Sequence, residues 1–154
     1  ISFRQSNGNE VGTIKSNGSS TSYNTSSDHR LKENVVELTG ATDRLKQLAP
    51  KRFNFIENPT ATVDGFLAHE AQEVVPEAVT GTKDAMRDEE YEVTPAVLDD
   101  DGNVVTAAVM GTRSVPDYQG IDQSKLVPLL TAVLQEALTE IADLKARVTA
   151  LEGN

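Results

Sequence analysis

The C-terminal third of the chain carries the clearest apolar pattern. Its apolar positions are separated alternately by three and four residues, over about three and a half heptads. They are Val127, Leu130, Leu134, Ala137, Ile141, Leu144, Val148 and Leu151. This spacing predicts the a/d seam of a left-handed coiled coil. The alternative is a single amphipathic helix packed on its own domain, for which a wider apolar stripe is expected.

Charges beside the seam indicate the orientation of the helices. With Leu134 at an a position, Glu140 and Arg147 occupy g positions, and Lys145 and Glu152 occupy e positions. In a parallel coiled coil each g residue faces the e residue five positions further along the neighbour. Both pairs then have opposite signs, so the pattern predicts parallel chains.

The number of strands is less clear from the heptads. β-branched Ile141 and Val148 at a positions favour two strands, whereas Leu134 at a and Ala137 at d weaken that preference. The periodicity therefore predicts a parallel oligomer without choosing between dimer and trimer.

Residues 1–27 are dominated by small polar side chains. Ile1–Gln5 and Glu10–Lys15 alternate weakly around a Ser-Asn-Gly-Asn turn, which predicts a hairpin, and Ser16–Thr25 adds almost no apolar residues. Such strands bury too little surface alone, so we expect identical chains to complete an intertwined β-stalk. The alternative is a disordered linker. The chain begins in mid-pattern at Ile1, and we expect it to be the end of a longer protein.

The middle of the chain predicts a small mixed domain. Leu31, Val35, Val36 and Leu38 are expected to begin its core. The apolar periods and the prolines then predict helices over Ala41–Ala49 (ended by Pro50) and His69–Val75 (ended by Pro76), and strands around Phe53–Phe55 and over Gly65–Ala68.

Two further segments complete the middle region. The acidic stretch Lys83–Glu92 is expected to be an exposed loop. Tyr91–Leu98 and Asn103–Met110 flank an Asp-Asp-Asp-Gly turn, which predicts a hairpin, with Pro95 demoting its first arm to an edge strand. The predicted fold class is α+β, divided into a β-rich stalk end (1–27), a core domain (28–122) and a C-terminal helix (123–154).

Composition narrows the possible functions. A net charge of −10 argues against nucleic acid and against anionic membrane surfaces as partners. The chain has no cysteine and two histidines, so we expect neither a disulfide nor a metal site, and no cofactor. No apolar run approaches the roughly 18–20 residues of a membrane span. The apolar content of 38%, with 5% aromatics, favours an oligomer.

Ser27 and Lys32 are the candidate reactive pair. A lysine whose pKa is lowered by burial or neighbouring cations can accept a proton from a serine hydroxyl. Arg30, between them, is placed to lower that pKa, and Leu31 to exclude water. The spacing alone also fits a solvated turn before a strand.

Three ordered motifs carry a more specific signal. Residues 27–35 read Ser-Asp-His-Arg-Leu-Lys-Glu-Asn-Val, residues 65–79 read Gly-Phe-Leu-Ala-His-Glu-Ala-Gln-Glu-Val-Val-Pro-Glu-Ala-Val, and residues 118–130 read Tyr-Gln-Gly-Ile-Asp-Gln-Ser-Lys-Leu-Val-Pro-Leu-Leu. Together they resemble the intramolecular chaperone auto-processing domain at the C-terminus of bacteriophage tail spikes and tail fibres, of the endosialidase type. The resemblance covers about residues 26–151.

The resemblance implies a homotrimer that templates the folding of the β-stalk upstream on the same polypeptide. It implies that the domain then cuts itself off between Ser27 and Asp28, with Ser27, Lys32 and His69 as catalytic residues. Arg30, Asn34 and Glu70 match as supporting residues. Leu130, Leu134, Ile141, Leu144, Val148 and Leu151 would join the three chains. The expected location is a tail fibre or spike precursor, assembled in the bacterial host cytoplasm and released from the mature virion after cleavage.

The identity of the attacking group stays open. The Ser27 hydroxyl cannot attack its own carbonyl without closing a strained four-membered ring. A neighbouring chain's Ser27, a water activated by Ser27 and Lys32, or the Asp28 carboxylate could attack instead, provided the bond is held in a near-attack geometry.

Two other functions compete with self-cleavage. One is a structural or host-contacting fibre tip that never cuts. The other is a serine hydrolase for external substrates, which is disfavoured because the chain has no Gly-x-Ser-x-Gly elbow and no evident Ser–His–Asp arrangement.

Overall fold

The structure is a computed structural model, and it describes residues 1–153. It divides into two compact units, residues 1–37 and residues from 38 onward. The chain is α+β, with short strands and a long C-terminal helix, as the sequence predicts. The functional boundaries proposed at residues 27 and 122 stay predictions.

The first unit contains a three-stranded antiparallel sheet. Its strands are β1 (Ser2–Arg4), β2 (Glu10–Ser16) and β3 (Thr21–Thr25), in the order β1-β2-β3. Hydrogen bonds from Gln5 N–H to Asn9 O and from Gly8 N–H to Gln5 O close the predicted β1–β2 turn, where Gly8 takes a φ of +86°. The predicted hairpin is present, and the polar segment after it supplies the third strand.

After this sheet the first unit has little regular structure. A 3₁₀ turn spans His29–Leu31. The prediction that Leu31, Val35, Val36 and Leu38 begin a core is wrong for the single chain, because their exposed fractions range from 41% to 84%. An apolar side chain is buried only where another element packs against it, and no element of the same chain covers these four.

The second unit begins with elements close to those predicted. Helix α1 (Ala41–Leu45) starts at the expected residue but ends sooner, and helix α2 (Ala68–Val74) lies one residue before the predicted span. Strands β4 (Lys51–Phe55) and β5 (Asn58–Gly65) form an antiparallel hairpin. The strand predicted over Gly65–Ala68 is wrong, because strand β5 ends at Gly65 and the helix already begins at Ala68. Polar β5 pairs through its backbone, which apolar periodicity does not report.

The acidic segment forms part of a long hairpin. Strand β7 (Met86–Thr94) pairs with β10 (Val109–Pro116), and β8 (Val97–Leu98) pairs with β9 (Val104–Thr106) around the predicted Asp99–Gly102 turn. The expectation of a loop over Lys83–Glu92 is therefore wrong from Met86 onward. Both faces of this ribbon are largely exposed, so charged residues are compatible with it. Pro95 falls between β7 and β8.

The remaining elements lead into the long helix. Strands β6 (Val79–Thr80) and β11 (Gly120–Ile121) form a short antiparallel pair. A 3₁₀ turn spans Pro76–Ala78 and another spans Gln123–Leu126, and helix α3 follows over Val127–Glu152. Pro128 is tolerated because the first helical turn needs no donor there.

The hydrophobic core of the second unit is small and lies between the helices and the short β6–β11 pair. Its buried residues are Ala41, Ala71, Val75, Ala78, Val79, Leu126 and Leu129. Helix α1 packs along the N-terminal part of α3, where the Thr42 hydroxyl donates a hydrogen bond to the Glu136 carboxylate.

Candidate functional site

Ser27 lies between the end of strand β3 and the His29–Leu31 turn. Asp28 is the N-cap of that turn, and its side chain accepts a hydrogen bond of 2.9 Å from the Arg30 N–H. An Asp at this position is a preferred cap because its carboxylate satisfies a backbone donor that has no partner within the turn. The local sequence therefore specifies a chain reversal directly after Ser27.

Arg30 strengthens the same cap. Its Nε lies 2.9 Å from Asp28 Oδ1 and its Nη2 lies 2.8 Å from Oδ2, a bidentate pair. These hydrogen bonds, with the Arg30 N–H and then the Lys32 charge, lower the pKa of Asp28, and the same pair raises the pKa of Arg30. Asp28 is therefore ionised at neutral pH, with both carboxylate oxygens engaged.

The turn brings Lys32 back onto Ser27. Lys32 Nζ lies 2.7 Å from Ser27 Oγ and 3.2 Å from Ser27 O. One amine thus contacts both the hydroxyl and the carbonyl of the residue predicted to be cut. Both residues are exposed in the single chain. Arg30, which we expected to act on Lys32, is instead paired with Asp28.

Asn34 lies two residues after Lys32 and has a φ of +54°. This left-handed conformation is uncommon for residues other than glycine, and asparagine is among those enriched in it. Asn34 therefore allows the chain to change direction after the turn.

His69 belongs to the second unit. It is half-buried on helix α2 and lines an open cavity of about 480 Å³ together with Asp84, Asp117 and Tyr118, among others. Glu70 beside it pairs with Lys51, at 3.3 Å between Lys51 Nζ and Glu70 Oε2. That oxygen is buried and accepts no hydrogen bond within residues 1–153, so Lys51 compensates its charge only electrostatically.

Helix α3 presents its predicted seam to solvent in the single chain. The exposed fractions of these side chains lie between 47% and 77%. The residues are Leu130, Leu134, Ile141, Leu144, Val148 and Leu151. Near the start of the helix a second apolar face packs on the core through Leu129 and Val133. The heptad pattern did not distinguish this face from the seam. The spacing of four residues between Leu129 and Val133 was the available signal.

Two classes of site are absent from the part of the chain that the structure describes. No cluster of three or more His, Cys, Asp or Glu side chains within residues 1–153 is arranged to hold a metal ion. Across the same residues, no helix has the length and apolar character needed to cross a membrane.

Comparison with known proteins links this site to one family. Residues 27–80 match the profile of the peptidase S74 family, described as chaperone of endosialidase. The match begins at Ser27 and includes both Lys32 and His69. The resemblance predicted from the sequence is thereby confirmed over about a third of the chain.

Other comparisons add little. No curated protein matches the chain. A solved structure described as the crystal structure of a novel intramolecular chaperon is 17% identical, and the alignment covers 74% of this chain and 99% of that one, with a TM-score of 0.44. A likeness at that level carries no argument about function.

Proposed function

We propose that this chain is a C-terminal intramolecular chaperone that trimerises, assists the folding of a phage tail spike or fibre, and then cuts itself between Ser27 and Asp28. The observation that carries this proposal is the position of Lys32 Nζ, within 3.2 Å of both Oγ and O of Ser27. The family match beginning at Ser27 supports it, because the family is named as a peptidase and a chaperone.

Lys32 acts as the proton acceptor in this proposal. A lysine amine does so only after losing its own proton, which burial promotes by destabilising the charged form. In the single chain the Ser27–Lys32 pair is exposed, so the environment for catalysis is incomplete. We propose that assembly of three chains supplies the missing burial and makes cleavage a report of correct assembly.

The attacking group is a water or the Ser27 hydroxyl of a neighbouring chain. Its oxygen adds to the Ser27 carbonyl carbon as Lys32 takes its proton, and the C–N bond to Asp28 then breaks. Attack by water gives the Ser27 carboxylate directly, whereas attack by a neighbour's serine gives an ester that a water molecule then hydrolyses. The departing amine receives a proton, for which the His69 imidazole is the proposed donor. The two Arg30 contacts disfavour attack by Asp28, because they engage both carboxylate oxygens.

Trimerisation in this proposal uses the exposed seam of α3. Six large apolar side chains on one helix face would lose water contact on assembly, and the Glu140–Lys145 and Arg147–Glu152 pairs would set the chains parallel. While attached, such a trimer raises the local concentration of the stalk chains. After release, the stalk would persist through its own unfolding barrier.

The test is the mass of the purified chain over time. The wild type is expected to yield a product with its N-terminus at Asp28, and Ser27→Ala and Lys32→Ala are expected to stay intact at least 100-fold longer. Lys46→Ala, which removes an exposed lysine elsewhere, is the matched control and is expected to cut at the wild-type rate.

Mixing variants separates the two nucleophiles. In a mixed oligomer of Ser27→Ala and Lys32→Ala chains, cutting of the Ser27→Ala chain indicates attack by a neighbour's serine. An intact mass for the wild type, together with a native trimer mass, would instead favour the second candidate, a fibre tip that never cuts. The exposure of the pair in the single chain is the observation in favour of that candidate.

A further inference from the structure

Ser26, the residue before Ser27, is attached to the preceding sheet. Its N–H donates a hydrogen bond of 3.1 Å to Val11 O, and its hydroxyl donates one of 3.1 Å to Glu10 O. The backbone contact continues the β2–β3 ladder by one position beyond the Gly12–Thr25 pair. The chain upstream of Ser27 is therefore held by the same strand that organises the sheet.

Glu10 connects this anchor to the other edge of the sheet. Its backbone pairs with Arg4 of β1, and its carboxylate accepts a hydrogen bond of 2.8 Å from the Ser2 hydroxyl. A single residue at the start of β2 thus contacts β1 on one side and Ser26 on the other. If β1, β2 and β3 are not assembled, the acceptor for the Ser26 hydroxyl is not in place.

The downstream side of the bond is held independently. Asp28 caps the turn and is locked by Arg30, and neither contact involves the sheet. The Ser27–Asp28 peptide bond therefore lies between two fixed points, one belonging to the sheet and the other to the turn. Such a bond can be held in a near-attack geometry only when both anchors are formed.

We infer that Ser26 is a positioning residue that couples cleavage to the folded state of the β1–β2–β3 sheet. This inference rests on the proposed self-cleavage. Its new content is the role of the Ser26 hydroxyl, which ties the upstream side of the bond to Glu10 of the sheet. Ser26 takes no part in the chemistry, since its side chain contacts the Glu10 carbonyl and not the reacting atoms.

The first measurement is the cleavage rate of the 154-residue chain with Ser26 substituted. Loss of one hydrogen bond is expected to slow cleavage about threefold to tenfold in Ser26→Ala, and Ser26→Thr, which keeps a hydroxyl, is expected to restore most of the rate. Ser22→Ala is the matched control, because Ser22 lies on β3 and its hydroxyl contacts Asn24 of the same strand. It is expected to cleave as the wild type does.

The second measurement tests the coupling to the sheet. A Cβ at Gly12 would lie 2.9 Å from Asn24 O, so Gly12→Val forces β2 and β3 apart and is expected to slow cleavage. The same substitution is expected to slow it less in a Ser26→Ala background, because part of the connection is already lost. If the circular dichroism spectrum and the native mass of Ser26→Ala equal those of the wild type, general unfolding is excluded as the cause of the slower cleavage.

The outcomes separate this inference from the proposed function. A wild-type chain that never cuts overturns both. A wild type that cuts, with Ser26→Ala equally fast or with the Gly12→Val and Ser26→Ala effects strictly multiplicative, overturns the role of Ser26 and leaves the self-cleavage proposal standing.

Discussion

The two units of the chain are stabilised by different interactions. In residues 1–37 the buried side chain is Thr13, and the strands are joined by backbone and polar contacts. From residue 38 onward an apolar core gathers α1, α2 and the start of α3. Because apolar burial is the dominant favourable contribution to folding, we expect the second unit to fold by itself and the first to depend on neighbouring chains.

The same contrast recurs along helix α3. Leu129 in its first turn is buried against the core beside Leu126 of the preceding 3₁₀ turn, whereas the later a and d positions remain exposed. One end of the helix belongs to the domain, and the other offers a surface that the single chain does not cover. Three predictions test this division.

Making the exposed seam polar is expected to have the largest effect. Leu144→Asp combined with Leu151→Asp places charges where the proposed trimer buries leucines, so the native mass should fall from three chains to one and cleavage should stop. Asp143→Asn, at an exposed c position outside the a, d, e and g positions, is the control and should leave a trimer. A double variant that remains trimeric would show that other surfaces join the chains.

A core substitution is expected to act on the second unit alone. Leu129 is 3% exposed, and Leu129→Ala should lower the free energy of unfolding by about 2–5 kcal/mol. Gln135→Ala, on an exposed position of the same helix, should change it by less than about 0.5 kcal/mol. Denaturant unfolding at fixed protein concentration measures both. Equal effects would mean that the core does not stabilise this unit.

The smallest effect concerns the capped turn. Because Arg30 and then Lys32 lower the pKa of Asp28, the contribution of the cap is present above the ordinary Asp pKa of about 3.9 and is lost as the pH falls through the lowered value. In Arg30→Ala the pKa of Asp28 should rise towards its ordinary range, as followed by carboxyl NMR titration. Arg52→Ala, which removes the partner of Asp64 instead, should leave Asp28 unchanged.

Much of the fold was predictable because local patterns were strong. The Gly8 turn, the Asp99–Gly102 turn, the start of α1 at Ala41 and the long C-terminal helix follow from turn residues, prolines and apolar periods. The first part of strand β7 was missed because most of its residues are charged, and β5 was missed because its residues are mostly polar. In both strands the pairing is made by backbone groups, which side-chain periodicity does not report.

The candidate site was only partly predictable. A serine and a lysine five residues apart can meet across one turn, and Asp28 is a recognisable cap, so the local geometry follows from the sequence. The pairing of Arg30 with Asp28 was not anticipated, because sequence spacing alone does not show which neighbouring side chain a guanidinium contacts. The exposure of the residues from Leu31 to Leu38 also differs from the expectation, since burial depends on elements distant in the chain.

By itself the sequence determined the helix period, the turns, the acidic charge and the Ser27–Lys32 spacing, because each depends on residues close together in the chain. Tertiary structure decided which face of α3 meets the core, and that Ser26 reaches the Glu10 carbonyl sixteen residues earlier. Such contacts arise only when strands and helices pack, because the free energy of burial and pairing is shared among residues far apart in sequence.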